Sequence, residues 1–165
     1  MQTLPVTAYL SLGSNLGDRT AHIEAAIQRL EAFGKVTARS SLYETEPMEM
    51  TDQPWFLNCA IAFEATMSPQ ELLETVLSIE QSMGRRRLVL KGPRVIDIDI
   101  LFFGDLIENS AALTLPHPAL HRRRFVLEPL VDIAPDFKHP VLRRTIRQML
   151  EDLPPEGAVH KFQAT

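Results

Sequence analysis

One short segment, residues 92–100, constrains the fold of this chain more than any other part of its sequence. Its glycine-proline start predicts a turn, and the alternation of isoleucine with aspartate after that turn predicts a β-strand. Because successive side chains of a strand point to opposite faces, the isoleucines share one face, while Asp97 and Asp99 share the other. One face of this strand is therefore expected to be buried, and the other carries two neighbouring negative charges.

The two aspartates predict a cation site. Carboxylates side by side on a sheet repel each other unless a cation lies between them, and Mg²⁺ is usually bound by one or two carboxylates together with substrate phosphates. Arginines, which match phosphate oxygens with a planar fork, precede the strand at Arg85, Arg86, Arg87 and Arg94. Glu80, in the last turn of the preceding predicted helix, is interpreted as a partner for these arginines. A solvent-exposed pair of acids without a ligand is the alternative.

The length and composition of the chain fit one globular domain. It has 165 residues, 45% of them hydrophobic, and its formal net charge of −4 argues against a general nucleic-acid binder. The single cysteine, Cys59, excludes an internal disulfide and fits a reducing cytoplasm. The N-terminus lacks a basic region followed by an apolar run, so we expect no signal peptide. No stretch of the sequence is apolar and long enough to span a membrane. We expect a cytoplasmic monomer with one domain over residues 1–165 and a loosely ordered tail over residues 154–165.

The hydrophobic pattern predicts the element order strand, helix, strand, strand, helix, strand. The strands are expected at residues 6–12, 36–43, 56–65 and 96–100, the helices at residues 19–33 and 69–83, and loops at residues 44–54 and 85–93. Further helical patterns follow at residues 125–134 and 142–153. This order is typical of ferredoxin-like folds. We therefore expect an α+β fold with a βαββαβ core, an antiparallel sheet, two helices on one face and a C-terminal helical extension, with loops roofing the acidic face.

Two further polar side chains are candidates for the same site. Asn58 lies on the less apolar face of its strand, and if that strand and the next cover the same helices, Asn58 shares the open face with Asp97 and Asp99. Its amide offers a donor and an acceptor to a heterocycle edge, although a purely structural asparagine is the alternative. His117 is held between two prolines in an extended or turn conformation, where it could donate a hydrogen bond to a polyphosphate.

Residues 92–101 resemble the signature of the hydroxymethyl-dihydropterin pyrophosphokinases of folate biosynthesis. Residues 117–127, read as H-P-x-x-H-x-R-x-F-V-L, resemble a second segment of that family, and the resemblance extends from about Tyr9 to Pro129. It implies transfer of a diphosphate from ATP to the hydroxymethyl group of 6-hydroxymethyl-7,8-dihydropterin, with AMP as the second product. It also implies two Mg²⁺ ions as cofactors.

The resemblance implies roles for individual residues. It assigns catalysis to Arg85, Arg94, Asp97 and Asp99, the metal ions to Asp97 and Asp99, ATP to Arg85, Arg87, Arg94, His117 and Arg123, and the pterin to Thr45, Phe56, Asn58 and Phe125. Two departures weaken the expectation of an aromatic lid: Leu90 replaces a residue that is usually basic, and Lys91 stands where a tryptophan is frequent. The general base stays open between a metal-acidified hydroxyl and either aspartate.

Two other classes of function are compatible with the same fold. A metabolite-sensing module would bind ATP without consuming it, and formation of AMP in the presence of the pterin alcohol would exclude it. An RNA-binding domain would carry stacking aromatics on the open face within a basic footprint. Acidic side chains at Asp97 and Asp99 argue against that class.

Overall fold

The structure, a computed structural model, describes residues 5–46, 54–84, 95–154 and 159–162. Its elements, in chain order, are β1 (Val6–Ser14), α1 (Arg19–Leu30), β2 (Lys35–Arg39), β3 (Tyr43–Thr45), β4 (Phe56–Ala65), α2 (Pro69–Ser82), β5 (Asp97–Phe103), β6 (Glu108–Asn109), β7 (Thr114–Leu115), a 3₁₀ turn (Leu120–Arg122), α3 (Arg124–Ile133), α4 (Ile146–Glu151) and β8 (Val159–Lys161). Within these ranges, no helix has the length and apolar character needed to cross a membrane.

Six of the described strands form one antiparallel sheet, which confirms the predicted α+β class. The strand order is β5-β1-β4-β3-β8, with β2 also paired to β4. The long strands β1 and β4 lie next to each other over nine residue pairs, from Val6 opposite Ala65 to Ser14 opposite Leu57. A separate two-stranded sheet joins β6 and β7. The order β5-β1-β4, with β2 and β3 outside β4, is that of the ferredoxin-like core expected from the sequence.

The helices α1 and α2 cover one face of the sheet, as predicted. Asp18 caps α1 by accepting the Ala21 N–H at 3.1 Å, and Ser68 and Glu71 form a complete capping box at the start of α2. The buried side chains between these helices and the sheet form the first core. They include Leu10, Leu12, Ile23, Ile27, Ile61, Phe63, Leu72, Val76, Ile98 and Ile100. The isoleucine face of residues 96–100 is therefore buried, as the alternation predicted.

A second core covers part of the opposite face of the sheet. Loops alone were expected over this face, but two helices also pack on it. Helices α3 and α4 pack there, and their apolar side chains meet Ala60, Leu101 and Phe102 of the sheet. A β-bulge adds to this core: Leu10 lies opposite Ile100, but Tyr9 lies opposite Phe102, so one residue of β5 is extra. The extra residue brings Phe102 to the same face as Leu101, and both side chains join the second core.

Local chemistry explains four smaller differences from the predicted elements. The predicted strand over residues 36–43 is broken, because the Ser40 hydroxyl accepts the Ala60 N–H at 2.9 Å and replaces a ladder bond. The strand resumes as β3 at Tyr43 and continues into the predicted loop as far as Thr45. Helix α1 ends at Leu30, so that Phe33 is half exposed. Helix α4 starts only after Thr145, which forms a capping box with Gln148. The expected loose tail contains β8, which pairs with β3.

Candidate active site

The register of three strands places the predicted polar residues on one face of the sheet. Gly13 of β1 lies opposite Asp97 of β5 on one side and opposite Asn58 of β4 on the other. Directly opposite residues of antiparallel strands project to the same face. Ser11, two residues earlier, likewise lies opposite Asp99. The two aspartates and the asparagine therefore share one face, with Gly13 between Asp97 and Asn58, as the alternation predicted.

Both aspartates are half-buried rather than enclosed in a core. As residues two apart on a strand, they lie about 7 Å from each other along β5. Their isoleucine neighbours point into the first core on the opposite face. The pair is thus fixed by a rigid strand while its carboxylates keep access to solvent.

Gly13 is required by the packing around it. A Cβ at this position would lie 2.5 Å from Asn58 Oδ1 and 3.6 Å from Phe56 Cδ1. The first distance is shorter than any normal contact, so the asparagine amide occupies the space that a side chain at Gly13 would fill. The same distances place the ring of Phe56 and the amide of Asn58 next to each other over β1.

Asn58 and Thr45 form a buried polar pair at this point. Asn58 Nδ2 donates to Thr45 Oγ1 at 2.7 Å, and the two residues are 5% and 3% exposed. Thr45 also lies opposite Phe56 in the β3–β4 ladder. The hydrogen bond fixes the orientation of the amide, so its oxygen faces the Gly13 side. Such a rigid amide can discriminate between heterocycle edges that present different donors and acceptors.

His117 stands beside the aspartates because its backbone is tied to β5. Its N–H donates to the carbonyl of Leu101, the residue at the bulge, at 2.9 Å. Its ring Nδ1 accepts the Ala119 N–H at 3.2 Å, so the neutral ring carries its proton on Nε2. Burial lowers the pKa of His117, and Arg123 lowers it further, while Asp97 acts in the opposite direction. His117 therefore offers a neutral N–H donor near one aspartate and one arginine.

Arg123 and Phe125 flank the start of α3. The Arg123 guanidinium carbon lies 5.6 Å from the centre of the Phe125 ring, which is within the range of a cation–π contact. Both side chains are half-buried, and Phe125 packs against the second core. This end of α3 thus presents one cation and one aromatic ring to the face that carries the aspartates.

Glu80 is a buried acid whose role the sequence did not reveal. It is 2% exposed on α2, and its carboxylate Oε2 accepts the backbone N–H of Ile98 at 2.7 Å. Ile98 is the residue between the two aspartates, so this hydrogen bond fixes the backbone of β5 at the edge of the sheet. The only sequence signal for this bond was the position of Glu80 in an otherwise apolar stripe of the helix. The predicted pairing of Glu80 with the arginines involves residues outside the described ranges.

Three predicted site residues, Arg85, Arg87 and Arg94, lie outside the described residues, as do Leu90 and Lys91. The remaining eight are brought to the same face or to its border. Within the described ranges, no three His, Cys, Asp or Glu side chains converge in a group that could hold a metal ion. Two carboxylates on one face still fit Mg²⁺, because this ion usually takes its other ligands from substrate phosphates and water.

Comparisons with known proteins identify the family to which this chain is similar. Residues 9–135 match the family model described as 7,8-dihydro-6-hydroxymethylpterin-pyrophosphokinase. The chain is 45% identical over 152 residues to the 2-amino-4-hydroxy-6-hydroxymethyldihydropteridine pyrophosphokinase of Methylorubrum extorquens, covering 91% of this chain and 95% of that protein. It is 46% identical over 152 residues to the folic acid synthesis protein fol1 of Schizosaccharomyces pombe, covering 91% of this chain.

Some of these relatives are much longer than the present chain, which spans 21% of the Schizosaccharomyces pombe protein. Among solved structures, wild-type Plasmodium falciparum HPPK-DHPS superposes with a TM-score of 0.71 at 18% identity, covering 89% of this chain and 44% of that one. At this identity the likeness supports the fold alone.

Proposed function

Because this chain belongs to the 7,8-dihydro-6-hydroxymethylpterin-pyrophosphokinase family, we propose that it transfers the β,γ-diphosphate of ATP to the hydroxymethyl group of 6-hydroxymethyl-7,8-dihydropterin, with release of AMP. The hydroxyl oxygen attacks the β-phosphorus, the bond between this phosphorus and the oxygen that stays with AMP breaks, and the hydroxyl proton is lost. The reaction belongs to the folate-synthesis route that the relatives' names describe.

The observation that carries this proposal is the row Asp97–Gly13–Asn58 across three strands. Two strand spacings separate the acid from the amide, which is about 10 Å. A bicyclic heterocycle held at Asn58 would direct its hydroxymethyl group along this row toward Asp97. The acceptor hydroxyl and the polyphosphate would then meet at the aspartate pair, and such positioning is a large part of catalysis in phosphoryl transfer.

Within this proposal, Asp97 and Asp99 would hold two Mg²⁺ ions. When bound, these ions neutralise polyphosphate charge and orient the reacting oxygens. His117 donates from Nε2–H to a phosphate oxygen, and Arg123 supplies a positive charge on the same side. Arg85, Arg87 and Arg94 are assigned to the polyphosphate on the family resemblance alone.

The pterin side of the site is assigned to neutral groups. Asn58, oriented by Thr45, reads the edge of the heterocycle, while Phe56 and Phe125 provide aromatic faces for stacking. Gly13 leaves the space that the ring and the amide share. We also propose that the chain acts as a cytoplasmic monomer, which its single buried thiol at Cys59 fits.

The test is a product assay with substitutions of the metal-binding pair. Asp97→Asn and Asp99→Asn should each lower the rate of AMP formation by about 10²–10³-fold, because each removes a charge that organises the transition state. Asp105→Asn, which changes an exposed acid just beyond β5, serves as the control and should leave the rate unchanged. Binding of Mn²⁺ with a non-hydrolysable ATP analogue, followed by electron paramagnetic resonance, gives a second readout.

The outcome that overturns the proposal is equally specific. AMP should form only when ATP, Mg²⁺ and the pterin alcohol are all present, since a sensing module would bind ATP without converting it. Near-normal turnover in a folded Asp97→Asn protein would refute the role of this pair. Failure of the wild-type chain to produce AMP would refute the activity itself.

A further inference from the structure

Four segments that are distant in sequence meet behind the proposed pterin side of the sheet. They are the first residue of α1, strand β3, the residue before β4, and the C-terminal strand β8. Thr45 of β3 lies opposite Phe56 on one side and opposite Val159 of β8 on the other. The C-terminal strand therefore directly supports the short strand that carries Thr45.

Arg19 joins these segments from the start of α1. Its Nη1 donates to the backbone carbonyl of Trp55 at 3.0 Å, and its Nη2 forms an ion pair with Glu44 Oε2 at 2.9 Å. Its guanidinium carbon also lies 5.6 Å from the centre of the Phe162 ring, just after β8. One planar fork thus makes three different kinds of contact, a geometry that lysine cannot reproduce.

A second set of contacts attaches the C-terminal strand to the same place. The rings of Trp55 and His160 are stacked, with centres 6.3 Å apart and planes 12° from parallel. The Phe162 N–H donates to the Leu42 carbonyl at 2.7 Å, which continues the pairing of this strand beyond β8. Phe162 also packs against the first core. Strand β8 and Phe162 are therefore held by backbone pairing, ring stacking and core packing together.

The contacted residues are sequence neighbours of the proposed pterin residues. Trp55 precedes Phe56, and Glu44 precedes Thr45. Successive strand residues point to opposite faces. Contacts on the face covered by α1 and α2 therefore fix the backbone that positions the side chains on the face carrying the aspartates. None of the contacts described for Arg19 involves the residues proposed for ATP and metal binding, which are Asp97, Asp99, His117 and Arg123. Substitution of Arg19 is therefore expected to leave ATP binding unchanged.

We propose that Arg19, together with the C-terminal strand, forms a clasp that positions Phe56 and Thr45 for the pterin substrate. Arg19 and His160 are positioning residues that act through other residues and do not touch substrate. This inference rests on the proposed function and adds to it a residue pair that affects the acceptor but not the donor. It also gives strand β8 a role in substrate recognition.

The test compares Arg19→Ala with a matched change elsewhere. Arg19→Ala should raise the KM for the pterin alcohol about ten-fold, which corresponds to about 1.4 kcal/mol of lost binding, while the KM for ATP and kcat stay within about two-fold. Arg19→Lys, which keeps the charge but loses the fork, should fall between Arg19→Ala and the wild type. The control is Arg39→Ala, which breaks an exposed ion pair with Glu24 away from this region and should change neither KM.

Trp55, the only tryptophan of the chain, gives an independent readout. Its emission in the absence of substrates should shift in Arg19→Ala and in His160→Ala but not in Arg39→Ala. Circular dichroism and thermal unfolding establish that each variant is folded. If Arg19→Ala does not fold, His160→Ala provides the kinetic test, with a smaller rise in the same KM.

The outcomes separate the clasp from the proposed function. An active wild-type enzyme whose folded Arg19→Ala variant has an unchanged pterin KM, or an equal rise in both KM values, would refute the clasp and leave the activity standing. A wild-type chain that forms no AMP would refute the activity, and the clasp would then be judged by Trp55 emission. Unchanged emission in both clasp variants would refute it there.

Discussion

At the scale of residues, the absence of a side chain at Gly13 shapes the candidate site. Asp97 and Asn58 are assigned to the same face by strand alternation, and this assignment could be made from the sequence. The role of Gly13 could not be predicted from the sequence, because it depends on how β1 aligns with β4. No local sequence pattern specifies that register. The glycine shapes the site through the space it leaves next to Asn58.

Gly13→Ala tests this view through its coupling to Asn58. The added methyl group would meet Asn58 Oδ1 at 2.5 Å, so we expect a loss of about 1–3 kcal/mol in the free energy of unfolding and weaker pterin binding. In an Asn58→Ala background the obstacle is gone, and the same substitution should have little effect on stability. Urea denaturation of the four proteins in this cycle measures the coupling.

Equal effects of Gly13→Ala in both backgrounds would show that the glycine is needed for another reason, such as backbone freedom. A matched substitution, Gly34→Ala, serves as a positive control for steric cost. Its added methyl group would meet the Phe63 ring and the Glu64 carbonyl instead, so its effect should not depend on residue 58.

At the scale of elements, the anchoring of β5 decides where the aspartates point. Strand β5 ends the strand order of the sheet and pairs with β1 on one side. The Ile98 N–H is taken by the buried carboxylate of Glu80 from α2. A buried acid at this place links the helix just before the arginine-rich segment to the strand that carries the aspartates.

Glu80→Ala should destabilise the protein by about 1–3 kcal/mol, because it leaves a buried N–H without its acceptor. Glu80→Gln keeps an acceptor oxygen at the same distance and should retain more of the stability. Glu74→Ala, on the exposed side of the same helix, is the control and should have almost no effect. Thermal and urea unfolding measure all three.

If Glu80→Ala lowers the rate of AMP formation under conditions in which the variant stays folded, the hydrogen bond also orients Asp97 and Asp99. Equal stability of Glu80→Ala and Glu74→Ala would contradict the anchoring role. The sequence could not reveal this bond, because periodicity locates a residue on a helix face but does not identify the backbone group that it meets.

At the scale of the whole molecule, the half-buried His117 and the buried His139 connect stability to pH. Burial is the main cause that lowers the pKa of both His117 and His139. The Nδ1 of His139 accepts the N–H groups of Val141 at 3.1 Å and of Leu142 at 3.0 Å. Protonation would convert this acceptor into a donor and break both bonds.

We therefore expect stability to fall on mild acidification. The unfolded chain takes up protons near the ordinary histidine pKa of about 6.5, whereas the folded chain does so at a lower pH. The stabilisation from the neutral rings is complete above that value and is lost as the pH falls through the lowered folded-state pKa. Urea denaturation between about pH 7 and pH 5 should show the decline, and His139→Asn, which cannot titrate, should reduce its slope. An identical slope in that variant would exclude His139 as a cause.

The overall fold was predictable to the extent that each element carries its own pattern. The order of strands and helices and the burial of α1 and α2 followed from alternation and from the capping residues at Asp18 and Ser68. The position of α3 on the acidic face and the pairing of β8 with β3 depend on long-range contacts. Three residues of strand after a proline-rich segment are too short a pattern to distinguish from a tail.

The extra residue in β5 has a consequence for how this segment tolerates change. Upstream of Leu101, odd-numbered side chains face the proposed substrates, whereas downstream the even-numbered Phe102 occupies that side and Phe103 joins the layer behind it. Removal of Leu101 would restore plain alternation and leave the aspartates and both phenylalanines opposite their present partners. Its cost would be the loss of one buried side chain from the second core, not a change of face. A one-residue deletion should therefore be tolerated better at Leu101 than at Ile98, where it would turn one of the two aspartates toward the first core.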